Sequence, residues 1–258
     1  AEPCYLNTER KNGYLPDFDA VPESVWERCQ LLYVCSPGNP TGAVFDIPLY
    51  QRLIERAERH NFIIASDECY SELYQDEHHP HNGLLEAAWA MGNTEFRRCV
   101  VFHSLSKRSN LPGLRSGFVA GDATLMDNYL RYRTYHGCAM PLPNQYASIA
   151  AWQDEEHVRA NRNQYRQKFA DFHGLLRDTL PLDVPPAGFY VWLNTPCNDE
   201  EFARRLFMEQ HVTVLPGTYL SRTANGTNPG SNHVRVALVA SREACLEAAT
   251  RIREFVQT

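Results

Sequence analysis

Three times in the first half of the chain a short apolar run stops against a polar cluster. QLLYVC runs into SPGNPTG (36–42), NFIIA into SDECY (66–70), and CVVFH into SLSKRSN (104–110). Continuous apolar runs of this length are what strands covered on both faces look like. Between the first two lies IPLYQRLIERAERH (47–60), where Leu49, Leu53, Ile54 and Ala57 recur at helical spacing, with Asp46 placed as N-cap and Pro48 early in the helix. Strands alternating with helices predict an α/β fold, a mainly parallel sheet sandwiched by helices, with GFVAGD (117–122) as a fourth strand. In such sheets ligands bind beyond the carboxyl ends of the strands. The three polar clusters are therefore expected to converge on one sheet edge.

Lys107 sits in the third cluster, at the end of a buried run, where lysine is almost never found unless paired or chemically engaged. A lysine of lowered pKa attacks aldehydes to form a Schiff base, and the neighbouring Arg108 and an enclosed site would both push it that way. A lysine in that role usually serves pyridoxal phosphate. That cofactor needs a carboxylate at its ring nitrogen, donors at its ring oxygen and a cradle for its phosphate. Asp67 can supply the first, Tyr70 and the Asn39 amide the second, and Ser104, Ser106 and Arg115 the third.

Beyond LPNQYASIAAWQ, a polar helical tract (154–180) leads into the expected strand FYVWLN (189–194), helix DEEFARRLFMEQH (199–211), strand VTVLPG, strand HVRVALV (233–239) and a last helix. In that helix Cys245, Ala248, Ala249, Ile252, Phe255 and Val256 form one apolar stripe. These elements imply a smaller α+β domain, 154–258, beside a larger one, 1–153. TANGTNPGSN (223–232) is expected to be a mobile or interface-forming loop.

The net charge of −6 over 258 residues lends no support to nucleic-acid or anionic-membrane binding and leaves small molecules or proteins as partners. No apolar run approaches the roughly 18 to 20 residues of a spanning helix, and AEPCYLNTER has no signal-peptide pattern, so a cytoplasmic protein is expected. Eight singly spaced cysteines, among them Cys138, read as reduced, buried thiols, and HHPH (78–81) as a solvated loop with no metal.

SPGNPTG, SDECY, SLSK and GLRSG, in that order, resemble the pyridoxal-phosphate aminotransferases of fold type I, in the aspartate aminotransferase superfamily. The spacings are similar as well: Asp67 stands 28 positions after Asn39, Tyr70 three after Asp67, Lys107 three after Ser104, and Arg115 eight after Lys107. The likeness extends to HVRVALV, where the substrate-carboxylate arginine of the family falls on Arg235. The resemblance implies that Lys107 holds the cofactor covalently and, once displaced, acts as the general base at the substrate Cα. It implies that Asp67 keeps the ring nitrogen protonated, that Asn39 and Tyr70 bind the ring oxygen, and that Ser104, Ser106 and Arg115 hold phosphate. Asn39 and Arg235 would meet the substrate, Arg235 through its α-carboxylate.

HSLSKRSNLPGLRSGFVAGD is most similar to succinyldiaminopimelate aminotransferases of lysine biosynthesis. That likeness implies amino transfer between glutamate/2-oxoglutarate and N-succinyl-2-amino-6-oxopimelate, by a homodimer. Aminotransferases for aspartate, aromatic or acetylornithine-type substrates, elimination or decarboxylation on the same fold, and a non-catalytic sensor domain remain open on these residues. The family also has an N-terminal portion, bearing a Gly-rich phosphate turn, a ring-stacking aromatic and a tyrosine given across the dimer, which cannot be located in this sequence.

Overall fold

The computed structural model describes residues 1–137 and 139–257; Cys138 lies outside the described residues. The chain divides into two compact units. The first comprises Asp19–Gly38 and Val44–Arg162, the second Ala1–Phe18, Asn39–Ala43 and Asn163–Thr258.

The first unit opens with α1 (Glu23–Trp26) and is built on four strands, β1 (Leu31–Cys35), β2 (Ile63–Asp67), β3 (Cys99–Ser104) and β4 (Gly117–Gly121), in that spatial order. β1, β2 and β3 are parallel, whereas β4 returns antiparallel to β3. The helix α2 (Ile47–His60) connects β1 to β2 and begins as the sequence predicts, with the Asp46 carboxylate accepting from Leu49 N at 2.8 Å. It buries Leu49, Tyr50, Leu53, Ile54 and Ala57, and ends at Asn61 in the left-handed region (φ 63°), which Asn tolerates better than most residues. α3 (Leu84–Ala90) precedes β3, the single turn α4 (Leu105–Arg108) follows it, and α5 (Ala123–Tyr135), α6 (Leu142–Gln153) and α7 (Glu156–Leu176) come after β4. The boundary between the units falls within α7.

One apolar run departs from its expected burial. Along β1 only Val34 is buried, while Leu31 and Tyr33, on one face of the strand, are exposed.

The second unit holds β5 (Tyr190–Asn194), α8 (Asp199–Gln210), β6 (Leu215–Pro216), β7 (His233–Ala237) and α9 (Arg242–Gln257). β7 is the middle strand, antiparallel to both neighbours. The run VTVLPG yields only two strand residues, because Pro216 has no N–H to donate and the chain then turns into a 3-10 helix at Gly217–Tyr219. α8 is capped by Asn198, whose side chain accepts from Glu200 N and Glu201 N, and three acidic residues in its first turn complement the helix dipole. The stripe on α9 packs as expected: Cys245, Ala249, Ile252 and Phe255 are in the core with Phe169, Leu193, Phe202 and Leu206, and Ala248 and Val256 flank it.

The thiols are less buried than expected. Cys99 and Cys245 are buried, but Cys4, in the extended N-terminal stretch, is exposed, and the others described lie between. The histidine run is exposed at His78 and His79, with His79 Nδ1 2.6 Å from the Asp76 carboxylate.

Candidate active site

The polar clusters sit where the parallel strands end. Asp67 is the last residue of β2, opposite Cys35, the last residue of β1. Its Oδ1 accepts from Cys69 N at 3.1 Å and its Oδ2 from the Tyr33 hydroxyl at 3.1 Å. Tyr33 pairs with Ala65, so strand alternation places Tyr33, Cys35, Ala65 and Asp67 on one face of the sheet. Partial desolvation, reinforced by the Asp67 carboxylate, pushes the Tyr33 phenol far above its usual range, and it stays a donor.

β3 ends at Ser104, which caps the α4 turn: its Oγ accepts from Ser106 N at 3.0 Å and lies 2.8 Å from Ser106 Oγ and 3.2 Å from the Ser116 carbonyl. Lys107, one residue further along that turn, has its ammonium 5.8 Å from the centroid of the Tyr70 ring. Asp67, Tyr70, Ser104, Ser106 and Lys107 are thus brought to the ends of two adjacent parallel strands. Arg115 belongs to the same unit and directly precedes Ser116, whose carbonyl Ser104 Oγ contacts. It is exposed, in the left-handed region at φ 53°, and its Nη1 donates to the Pro112 carbonyl at 2.9 Å.

Glu68 shows how this edge is braced. It is buried, with Oε1 accepting from Leu84 N at 2.9 Å at the start of α3 and Oε2 3.3 Å from His103 Nε2 on β3. Gly83 leaves room for this carboxylate: a Cβ there would lie 2.8 Å from Glu68 Oε2 and make it shift.

Asn39 and Arg235 meet within the second unit. Arg235 Nη1 donates to Asn39 Oδ1 at 2.9 Å, and its guanidinium lies 4.3 Å from the centroid of the Tyr190 ring. Arg235 Nε is buried and makes no hydrogen bond within the described chain. A guanidinium held by one nitrogen, with an adjoining donor unspent, suits a carboxylate that binds through both oxygens. Gly42 fixes the loop that carries Asn39. Its φ is +71°, and a Cβ there would come within 2.3 Å of the Ala187 carbonyl.

The donor set of the first unit fits pyridoxal phosphate: an acid that accepts two hydrogen bonds, a lysine against a phenol, and paired hydroxyls. Residues 1–252 match the family described as "Aminotransferase class I and II". The chain belongs to the class I and II aminotransferases. Members of this family depend on pyridoxal phosphate. An LL-diaminopimelate aminotransferase of Nitratidesulfovibrio vulgaris is 32% identical over 253 residues, which are 96% of this chain and 62% of that protein. A solved aminotransferase from Neisseria meningitidis is 46% identical, with a TM-score of 0.92 over 99% of this chain and 64% of that one. A Thermus thermophilus structure described as a "probable N-succinyldiaminopimelate aminotransferase" is 31% identical, with a TM-score of 0.80 over 93% of this chain and 62% of that one. The chain therefore spans less than two thirds of the length of these relatives.

Tyr33 is the contact of Asp67 that the sequence alone did not single out. Its signal lies in the strand register, which is not visible until β1 and β2 are aligned.

Proposed function

We propose that this chain is part of a pyridoxal-phosphate transaminase that exchanges an amino group between glutamate/2-oxoglutarate and N-succinyl-2-amino-6-oxopimelate, a step of diaminopimelate and lysine formation. The observation that carries the transaminase reading is the grouping of Lys107, Tyr70 and a doubly hydrogen-bonded Asp67 at the ends of β2 and β3. The substrate reading is supported by relatives whose names carry LL-diaminopimelate and N-succinyldiaminopimelate. In this reading residues 1–153 belong to the large domain of the family and 154–258 to its small one.

The cofactor, when bound, supplies an aldehyde and a protonated ring that accepts electrons from the reacting carbon. Lys107 is the covalent anchor and then, as a free amine, takes the proton from the substrate Cα. Asp67 holds the proton on the ring nitrogen, and the Tyr33 and Cys69 donors keep its carboxylate oriented. Tyr70 and Asn39 donate to the ring oxygen, Ser104, Ser106 and Arg115 bind phosphate, and Arg235 clamps the α-carboxylate.

A homodimer fits the surface of the first unit. Leu130, Tyr132 and Tyr135 on α5 and Leu142, Tyr146 and Ile149 on α6 are large apolar side chains left exposed, the kind of surface that an association of two copies would cover. Among the described residues no helix is long and apolar enough to cross a membrane.

The test is the visible absorption spectrum with added pyridoxal phosphate, before and after glutamate, beside Lys107→Ala. A cofactor band that glutamate converts, and that the variant lacks, is the expected result. A band that persists unchanged in Lys107→Ala refutes the assignment of Lys107.

A further inference from the structure

We infer that Arg222 receives a second, remote carboxylate of the substrate, which makes this an enzyme for amino and oxo diacids; the inference rests on the transaminase reading above. A cleft of about 720 Å³ in the second unit is bordered by the N-terminal stretch at Asn7 and Thr8, by Asn39, by Trp192 and by the turn that carries Arg222. Among the described residues lining it, Arg222 is the single charged side chain. It makes no ion pair within the described chain, and the residue is exposed.

The nearby acids are already engaged. Asp199, fully buried, accepts from Thr218 N and Thr218 Oγ1 through Oδ2 and from Asn232 N through Oδ1. Glu200 accepts from the Tyr219 hydroxyl at 2.9 Å. An uncompensated cation in a cleft walled by hydroxyls, amides and aromatic rings calls for an anionic ligand.

The other end of the cleft adjoins the α-carboxylate position. Asn39, which lines it, holds Arg235 Nη1, and Trp192, which also lines it, stands directly opposite Arg235 in the β5–β7 ladder. A substrate gripped at one end by Arg235 would lay its remaining carbons past Trp192 and present its far end to Arg222.

The segment bearing Arg222, directly before TANGTNPGSN, is tied to its surroundings through the backbone. Asn7 Nδ2 donates to the Ala224 carbonyl at 3.0 Å, and Ser221 Oγ donates to the Gly217 carbonyl at 3.0 Å. Gly217 and Gly230 approach so closely that a Cβ on either would lie 2.2 or 2.1 Å from the carbonyl oxygen of the other. The backbone that carries Arg222 is therefore fixed before a ligand arrives, and only the side chain has to be ordered, which lowers the cost of binding.

The test is calorimetric titration of the chain, as the wild type, Arg222→Gln and Arg222→Lys, with pimelate and with heptanoate, which has the same length and one carboxylate. Pimelate is expected to bind the wild type more tightly than heptanoate. Arg222→Gln should weaken pimelate by about tenfold and leave heptanoate unchanged, with Arg222→Lys recovering part of the loss. Equal affinity for the two acids, no binding of either, or a pimelate preference that survives Arg222→Gln would each overturn the inference. Conversion of the cofactor by glutamate is read separately. If it occurs without a pimelate preference, the Arg222 inference alone falls, and if it fails while the preference stands, the transaminase reading falls.

Discussion

Arg162→Met should destabilise the protein by about 2–3 kcal/mol, the first segment to loosen being 71–77, the stretch directly after Asp67 and Tyr70. The Arg162 side chain is 5% exposed and makes two kinds of contact with that stretch. Its Nε and Nη2 fork onto both Glu77 oxygens at 2.9 and 3.0 Å, while Nη1 reaches the Glu72 carbonyl at 2.9 Å and Glu72 Oε2 at 3.1 Å. The guanidinium also lies 4.0 Å from the centroid of the Tyr74 ring. Burial works to lower its pKa, but Glu77, Tyr74 and Glu72 outweigh that and raise it, so the group is charged at every accessible pH.

Removing one partner of a fully buried ion pair costs about 3–5 kcal/mol, because the other charge is left uncompensated. Glu72 and Glu77 are 36% and 37% exposed, however, and can recover part of their hydration. That discount, with about 0.5–1 kcal/mol lost from the ring contact, brings the figure to the range given. Methionine retains most of the stem packing, so the loss reports the guanidinium and not a cavity. Urea titration gives the global change, and amide hydrogen exchange locates it. Glu77→Gln, which leaves Glu72 in place, should cost about 1 kcal/mol. A loss below about 1 kcal/mol for Arg162→Met, or protection at 71–77 equal to that of the wild type, would refute the reasoning.

Tyr33→Phe removes one of two donors to Asp67 and should weaken cofactor binding about fivefold, read by titrating pyridoxal phosphate against the Lys107-dependent band; unchanged affinity would show that Cys69 N alone orients the acid. Burial works to raise the Asp199 pKa, but the Thr218 and Asn232 donors outweigh it and hold the carboxyl below its usual value of 3.8. A depressed folded-state pKa contributes stability above the unfolded value that is lost as pH falls through the folded one. Asp199→Asn should thus cost about 2 kcal/mol at pH 7 in urea titrations, with a penalty that shrinks below about pH 4; a pH-independent penalty would count against this sign. Gly42→Ala forces a Cβ to within 2.3 Å of the Ala187 carbonyl at φ +71°. It should cost about 2–4 kcal/mol by the same assay, and a near-neutral result would mean that the loop yields easily.

The parts legible in the sequence are those whose signals are local. The apolar runs QLLYVC, NFIIA and CVVFH marked, to within two residues, the ends of strands that close at Cys35, Asp67 and Ser104, since burial and turn chemistry act over that range. The Asp46 cap was legible for the same reason. Of the site, Asp67, Tyr70, Ser104, Ser106 and Lys107 follow from those strand ends, and the structure places all five there. Illegible was whatever depends on register or on a partner far along the chain. Pro216 cut short a strand that composition favoured, and one face of β1 is exposed although its run reads as buried.

The same distinction separates the chemistry from its support. Asp67 and Lys107 are conspicuous because each is a charged residue at the end of an apolar run. The residues that orient them carry no such mark. Tyr33 lies 34 positions before Asp67 and reaches it because β1 and β2 pair Tyr33 with Ala65. Arg162 lies 85 positions after Glu77 and looks, in the sequence, like one more cation on a polar helix. Arg222 directly precedes the Gly-, Asn- and Ser-rich stretch 223–232, and the approach of Gly217 to Gly230 across it is one that no other residue type allows. A charged group that must be oriented needs partners from separate elements, because one element cannot surround it. The supporting shell therefore emerges only when strands and helices are in place, even where the reactive groups can be named beforehand.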